Sequence, residues 1–216
     1  MKARLCRKKW AAPAALIALL VGTMIAAVAY ACVTLPSPLF TTDYSTVVLD
    51  EHGAILRAFL NSQEQWILPD DGSPIPEKLK IAVITFEDKR FESHLGVDPL
   101  AVLRAVYQNI RHGGRVSGAS TITMQVARLM RPKERTVRNK LLEMAQAVAI
   151  ELSYSKDEIL KAYLMHAPYG GNIIGYRTAS LRYFGKEPGK LSWAEAATLA
   201  VLPNNPGHIN PIQNPE

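Results

Sequence analysis

The stretch Glu87-Asp88-Lys89-Arg90-Phe91-Glu92-Ser93-His94, continued by Gly96 and Asp98, joins two segments that read as helices. Before it, Glu77 to Phe86 is a short apolar helical run. After it, Asp98-Pro99 supplies an N-cap followed by proline at the first helical position, and Leu100, Leu103, Val106, Tyr107 and Ile110 recur at helical spacing. Acids at the end of an apolar helix are not needed for packing. A carboxylate there is either a solvated helix end or, where a cleft buries it and raises its pKa, a general base. Taken alone, His94 reads as a structural histidine.

Towards the C-terminus the pattern stays helical. Arg111 to Val116 reads as a basic, glycine-containing loop, and Ser120 or Thr121 can cap a helix carrying Ile122, Val126, Leu129 and Met130. A long helix is predicted from about Glu134 to Ser153, with Val137, Leu141, Met144, Val148 and Leu152 facing inward. Lys156 to Met165 is another helix, Pro168 to Asn172 a break, and Ser192-Trp193-Ala194-Glu195 a capping box opening a helix that stops before Pro203. Towards the N-terminus, Val47-Val48-Leu49 and Ala54-Ile55-Leu56 read as a hairpin turning at His52-Gly53. Trp66 to Leu68 is a further strand, and Asp70 to Pro76 a turn-rich break. The predicted class is mainly α with a small N-terminal β element.

The formal charge of +6 invites a nucleic-acid reading, but its distribution argues against one. Lys2, Arg4, Arg7, Lys8 and Lys9 account for five of the 25 basic residues, which leaves 20 against 19 acidic ones elsewhere. No charged side chain occurs from Ala11 to Thr42, and the apolar part to Leu35 is long enough to cross about 30 Å of hydrocarbon. The basic flank orients such a span with its N-terminus in the cytoplasm. The rival reading is a cleaved signal peptide, because Ala29-Tyr30-Ala31 is an A-x-A site. The expected organisation is a cytoplasmic basic segment over 1–10, one transmembrane helix over 11–35, a Pro/Ser/Thr-rich linker over 36–45, and a folded domain over 46–216. Cys6 and Cys32 would lie towards opposite faces of the membrane, so the outer domain is expected to fold without a disulfide.

Two further features carry chemistry. Glu143 lies three residues after Lys140, on one face of the long helix. Arg128, Arg131, Lys133, Arg135, Arg138 and Lys140 face only Glu134 as an opposing charge, a density that suits a pyrophosphate or an ordinary basic surface.

Read in order, these sites resemble glycosyltransferase family 51, the transglycosylase domain of class A penicillin-binding proteins. Its motif E-D-x-x-F-x-x-H-x-G-x-D is matched at Glu87, Asp88, Phe91, His94, Gly96 and Asp98; G-x-S-T-[IL]-T-x-Q is matched at Gly118, Ser120, Thr121, Ile122, Thr123 and Gln125. R-K-x-x-E is matched at Lys140 and Glu143, with Asn139 in place of Arg. K-x-x-I-L-E-x-Y-L-N is matched at Lys156, Ile159, Leu160, Tyr163 and Leu164, and departs at Lys161 and Met165. Thr123 to Leu129 and Ala167 to Gly171 look most like the penicillin-binding protein 1C type. Ser153-Tyr154-Ser155-Lys156 matches the acyl-enzyme serine motif S-x-x-K, but without S-x-N or K-T-G partners it reads as a helix cap. The resemblance covers an N-terminal portion of such proteins, so 46–216 is expected to be a C-terminally truncated glycosyltransferase domain.

The resemblance implies a lysozyme-like fold with a second lobe that touches the bilayer, to which Tyr107, Ile110 and the basic loop would contribute. It implies polymerisation of lipid II into glycan strands by inverting attack of the acceptor 4-hydroxyl on the lipid-pyrophosphate-linked donor. Glu87 would be the general base, and Glu143 would sit near the departing pyrophosphate, with a divalent cation (Mg or Mn) or a basic side chain. Arg128 and Lys140 would offset leaving-group charge. Ser120, Thr121 and Gln125 would orient the donor, and Asp88, Phe91 and His94 would belong to the substrate site. The implied partners are lipid II, the growing glycan chain, the membrane and cell-wall synthesis proteins. The implied location is the bacterial inner membrane, single-pass, with the catalytic domain outside the cytoplasm. Two other readings remain at this point: a lysozyme-like hydrolase, and a catalytically impaired lipid II-binding scaffold.

Overall fold

A computed structural model describes residues 19–113 and 118–204. Helix α1 covers residues 19–33 within this range. The expected span begins at Ala11, outside the described residues, and among those described no helix is long and apolar enough to cross a membrane. The end of α1 is nevertheless tied to the body. Ala31 is buried, Leu35 packs on the core, and Arg131 Nη2 donates to the Thr34 carbonyl at 3.0 Å.

The predicted hairpin forms as β1 (Val47–Leu49) and β2 (Ile55–Ala58). Asp50 closes its turn by accepting from the His52 and Ala54 amides. Strand β3 (Trp66–Ile67) pairs parallel with β5 (Ile173–Ile174), which pairs antiparallel with β4 (Pro168–Gly170). The break predicted at Pro168 to Asn172 is therefore a tight hairpin. Its strands are too short to show a period of two, and Gly170 and Gly171, both at positive φ, dominate the local signal.

The body is helical: α2 (Glu77–Glu87), α3 (Pro99–His112), α4 (Ile122–Met130), α5 (Val137–Ser153), α6 (Lys156–His166), α7 (Tyr176–Phe184) and α8 (Trp193–Val201). Helix α4 is its axis. It buries Ile122, Thr123, Met124, Val126 and Ala127, and packs against α5 and α6. Leu79 and Val83 of α2, Ile150 of α5, Ile159, Leu160 and Leu164 of α6 and Leu199 of α8 complete a core with almost no exposed surface. Caps fix the helix starts. Thr121 accepts from Met124 N, Asp98 from Leu100 N and Ala101 N, and Ser155 and Ser192 form reciprocal capping boxes with Glu158 and Glu195. That accounts for the S-x-x-K match at Ser153 to Lys156.

The predicted inward face of α5 needs correction. Val137, Leu141 and Leu152 are 81%, 51% and 63% exposed, while Ala145, Ala147, Ala149 and Ile150 are buried. The alanines let neighbouring backbone approach closely. A Cβ on Gly96 (φ 79°) would lie 2.6 Å from the Ala147 carbonyl carbon and oxygen. Glycine is required there on two counts: a left-handed backbone and a main-chain contact. Helix α3 also leaves its apolar face uncovered, with Leu100, Leu103, Val106, Tyr107 and Ile110 all at least half exposed. It ends at Gly113 (φ 62°), so Arg111 and His112, expected in the basic loop, close the helix instead, and the second half of that loop lies outside the described residues.

Candidate active site

A cleft of about 740 Å³ lies between the helical body and α3, with walls from α2, α3, α4 and α5. Glu87, Ser120, Gln125, Arg128, Lys140 and Glu143 all line it, so residues from three separate sequence motifs converge.

Glu87 is the last residue of α2. Gln125 Nε2, one turn into α4, donates to its Oε2 at 2.6 Å, and Asn204 Nδ2 donates to Oε1. Burial pushes the Glu87 carboxyl above its ordinary value and the charge of Asp88 adds to this; the two amide hydrogen bonds oppose the rise without cancelling it. The negative end of the α2 dipole also disfavours an anion at this position. The result is a carboxylate basic enough to take a proton and still open to the cleft.

Glu143 has the opposite environment. Arg128 holds it through a two-pronged fork, Nε to Oε1 and Nη2 to Oε2, each 3.0 Å. Lys140 Nζ lies 3.5 Å from Oε2 and donates to Ser120 Oγ at 2.5 Å. Burial alone would raise the Glu143 carboxyl, but Arg128 and then Lys140 outweigh it and hold the pKa below the ordinary value. The cleft thus has a basic carboxylate at one end and a cationic cluster at the other.

The remaining four expected site residues do not line the cleft. Phe91 is 1% exposed and packs in the core. Asp88 and His94 form a buried pair, with both Asp88 oxygens 3.0 Å from His94 Nε2, and Asp88 Oδ2 also accepts from Ile122 N at the start of α4. Thr121 Oγ1 donates to the Gly96 carbonyl at 2.6 Å while capping α4. Asp98 caps α3 and pairs with Arg90. Asp88, Phe91, His94 and Thr121 are expected as part of the substrate site, yet the Asp88 carboxylate, His94 Nε2 and Thr121 Oγ1 are engaged in joining the end of α2 to the starts of α3 and α4. They hold Glu87 and Gln125 in register.

The departures from the family pattern also fall away from the cleft. Asn139 donates to the Glu134 carbonyl, Lys161 pairs with Asp70 at 2.6 Å, and Met165 is buried in the core. A divalent cation does not fit the donor set around Glu143. Arg128 engages both oxygens of the one carboxylate, Lys140 adds a second positive charge, and no group of three potential metal ligands occurs among the described residues. Asn204 was not among the residues expected from sequence. A single amide in a Pro/Asn-rich segment, 117 positions from Glu87, carries no pattern.

Comparison with known proteins agrees with this geometry. The transglycosylase family matches residues 52–216. The chain belongs to that family. It is 40% identical over 181 residues to penicillin-binding protein 1C of Escherichia coli (strain K12), covering 84% of this chain and 24% of that protein. It is 42% identical to penicillin-binding protein 1A of Neisseria flavescens (78% of this chain, 21% of that protein) and 36% identical to penicillin-binding protein 1F of Bacillus subtilis strain 168 (80% and 24%). The transglycosylase chain spans about a quarter of the length of these relatives. The matched region contains both carboxylates and all the cleft cations named above.

Proposed function

We propose that this transglycosylase chain is a peptidoglycan glycosyltransferase that polymerises lipid II. The observation that carries the reading is the separation of roles along one cleft. Glu87, raised by burial, is suited to accept the proton of the acceptor 4-hydroxyl as it attacks the anomeric carbon. The bond from that carbon to the lipid pyrophosphate breaks with inversion, and the departing pyrophosphate carries the negative charge. Arg128 and Lys140 supply preorganised positive charge for it, with Ser120 and Glu143 holding their positions. A pyrophosphate oxygen entering the cluster would compete with Glu143 for the Arg128 fork. No step in this scheme is routed through a metal ion.

The substrate class agrees with the outer face of α3. Leu103, Tyr107 and Ile110 are 64–76% exposed, uncovered by the described residues, beside a cleft whose ligand would carry a long isoprenoid tail. In this reading α3 and the exposed start of α5 rest on the outer leaflet of the bacterial inner membrane. The apolar N-terminal segment keeps the enzyme on the surface that holds its substrate. The growing glycan chain and other cell-wall synthesis proteins are the partners that follow from this placement.

The test uses the full chain in detergent or vesicles with labelled lipid II. Wild type should form glycan strands, and Glu87→Gln should lower turnover by about 10²–10⁴-fold, the usual contribution of a positioned general base. Equal rates would remove Glu87 from the mechanism. Release of soluble muropeptides from finished cell wall, with lipid II untouched, would replace glycosyl transfer with hydrolysis.

A further inference from the structure

Glu87 is gripped from two sides, and only one of the two donors belongs to a recognisable motif. Gln125 holds Oε2 from α4. Asn204 holds Oε1 from the turn Leu202–Asn204 that follows α8. That turn is fixed by the core: Leu202 is fully buried, and α8 packs along α2, which ends at Glu87. The Asn204 side chain lines the cleft and is itself exposed, so packing does not explain its position.

We propose that Asn204 is a positioning residue for Glu87, fixing the rotation of its carboxylate so that one lone pair on each oxygen stays open to the cleft. The proposal rests on reading Glu87 as the base. Each carboxylate oxygen has two lone pairs; Gln125 takes one on Oε2 and Asn204 one on Oε1, leaving one on each for an incoming hydroxyl. With Gln125 alone the carboxylate could swing about a single contact. With both it is clamped in plane, and an N–H from a neutral amide favours the ionised form without pairing away its charge.

The electrostatic setting makes that donor matter. Asp88 beside Glu87 and the C-terminal end of α2 both oppose the anion. Tyr163 of α6 and Tyr169 of β4 bring no charge of their own, since burial first and the Glu87 charge after it keep both phenols protonated well above the ordinary tyrosine range. Across the cleft the Arg128 and Lys140 charges are directed to Glu143 and Ser120. Asn204 and Gln125 are the two side-chain hydrogen bonds acting to lower the Glu87 carboxyl.

The experiment follows Glu87 directly. The full chain in micelles, labelled with ¹³C-carboxyl glutamate, is titrated by NMR as wild type, Asn204→Ala and Asn204→Asp, with Glu87→Gln identifying the resonance. The pH profile of lipid II polymerisation is measured on the same samples. Loss of the donor should move the Glu87 titration, and the acid limb of kcat/KM, to higher pH. The move should be larger for Asp, which adds an opposing charge, than for Ala; the Ala shift carries the test, because a residue that only supports the fold would leave the Glu87 titration in place. At a pH on that limb the Asp variant should be on the order of tenfold slower than wild type. An Ala titration that overlays wild type overturns the proposal, whatever the Asp variant does. A Glu87 resonance that responds in this order, in chains that transfer no glycan, supports the clamp and overturns glycosyl transfer instead.

Discussion

Helices α3 and α4 flank the same cleft and are both amphipathic, yet their apolar faces have different surroundings. α4 is enclosed, with five buried residues among α5, α6 and the loop from α2. α3 buries only Ala105 and presents its leucines, Tyr107 and Ile110 outward. An amphipathic pattern says that a face must be covered and leaves open by what. In α4 the cover is protein; in α3, on the reading above, it is lipid. The two carboxylates follow the same division. Glu87 ends a helix of the packed body, and Glu143 sits on α5 as that helix leaves the body towards its exposed first turns.

Perturbing the packed half should give the largest effect. Gly96→Ala would place a methyl 2.6 Å from Ala147 backbone atoms at a positive φ, with loss of roughly 3–5 kcal/mol and of most folded protein, read by thermal unfolding. Leu160→Ala, at a fully buried site, should cost about 2–5 kcal/mol in denaturant unfolding, whereas Leu103→Ala on α3 should change it by less than about 0.5 kcal/mol. If the two cost the same, α3 is covered by protein and the comparison fails. Leu103→Ser should instead weaken vesicle association of the folded chain several-fold.

The carboxylates separate by sign. Glu143, held low, contributes stability present above its ordinary pKa and lost as pH falls through its lower folded value, so Glu143→Gln should lower the Tm at neutral pH. Glu87, held high, costs stability above its ordinary pKa, and this cost is relieved as pH falls through the raised folded value. Glu87→Gln should therefore raise the neutral-pH Tm while removing activity. Calorimetry on the two variants reads both signs, and shifts in the same direction would contradict the opposed environments. Among the buried side chains the smallest effect is expected at Tyr169. Its hydroxyl is buried without a hydrogen-bond partner among the described residues, so Tyr169→Phe should stay within about 1 kcal/mol of wild type.

What the sequence showed and what it hid divide along physical lines. Caps were legible because each is a local rule: Asp98-Pro99, one of the pair Ser120 and Thr121, the segment Ser153 to Lys156, and Ser192 with Glu195 start helices as expected. The convergence of Glu87, Gln125, Arg128, Lys140 and Glu143 was legible through their motifs. The inner face of α5 was misread because the larger apolar residues drew the pattern while alanines made the contact. Phe91, Asp88, His94 and Thr121 belong to the same motifs as the cleft residues, and a motif does not say which of its members face outward. Asn204 depended on the tertiary fold alone.

The hydrogen bond from Arg131 to the Thr34 carbonyl ties the last turn of α1 to the residue that caps the end of α4, three positions from Arg128. It makes α1 a spacer of fixed phase. A helix advances 1.5 Å and turns 100° with each residue. Inserting or deleting one residue of α1 above Ala31 would leave the cleft chemistry intact while turning the residues before the change by more than a quarter of a circle relative to the body. The number of residues between any point on α1 and Thr34 therefore sets which side of the helix that point turns towards the body, and two residues more or fewer would turn it nearly to the opposite side.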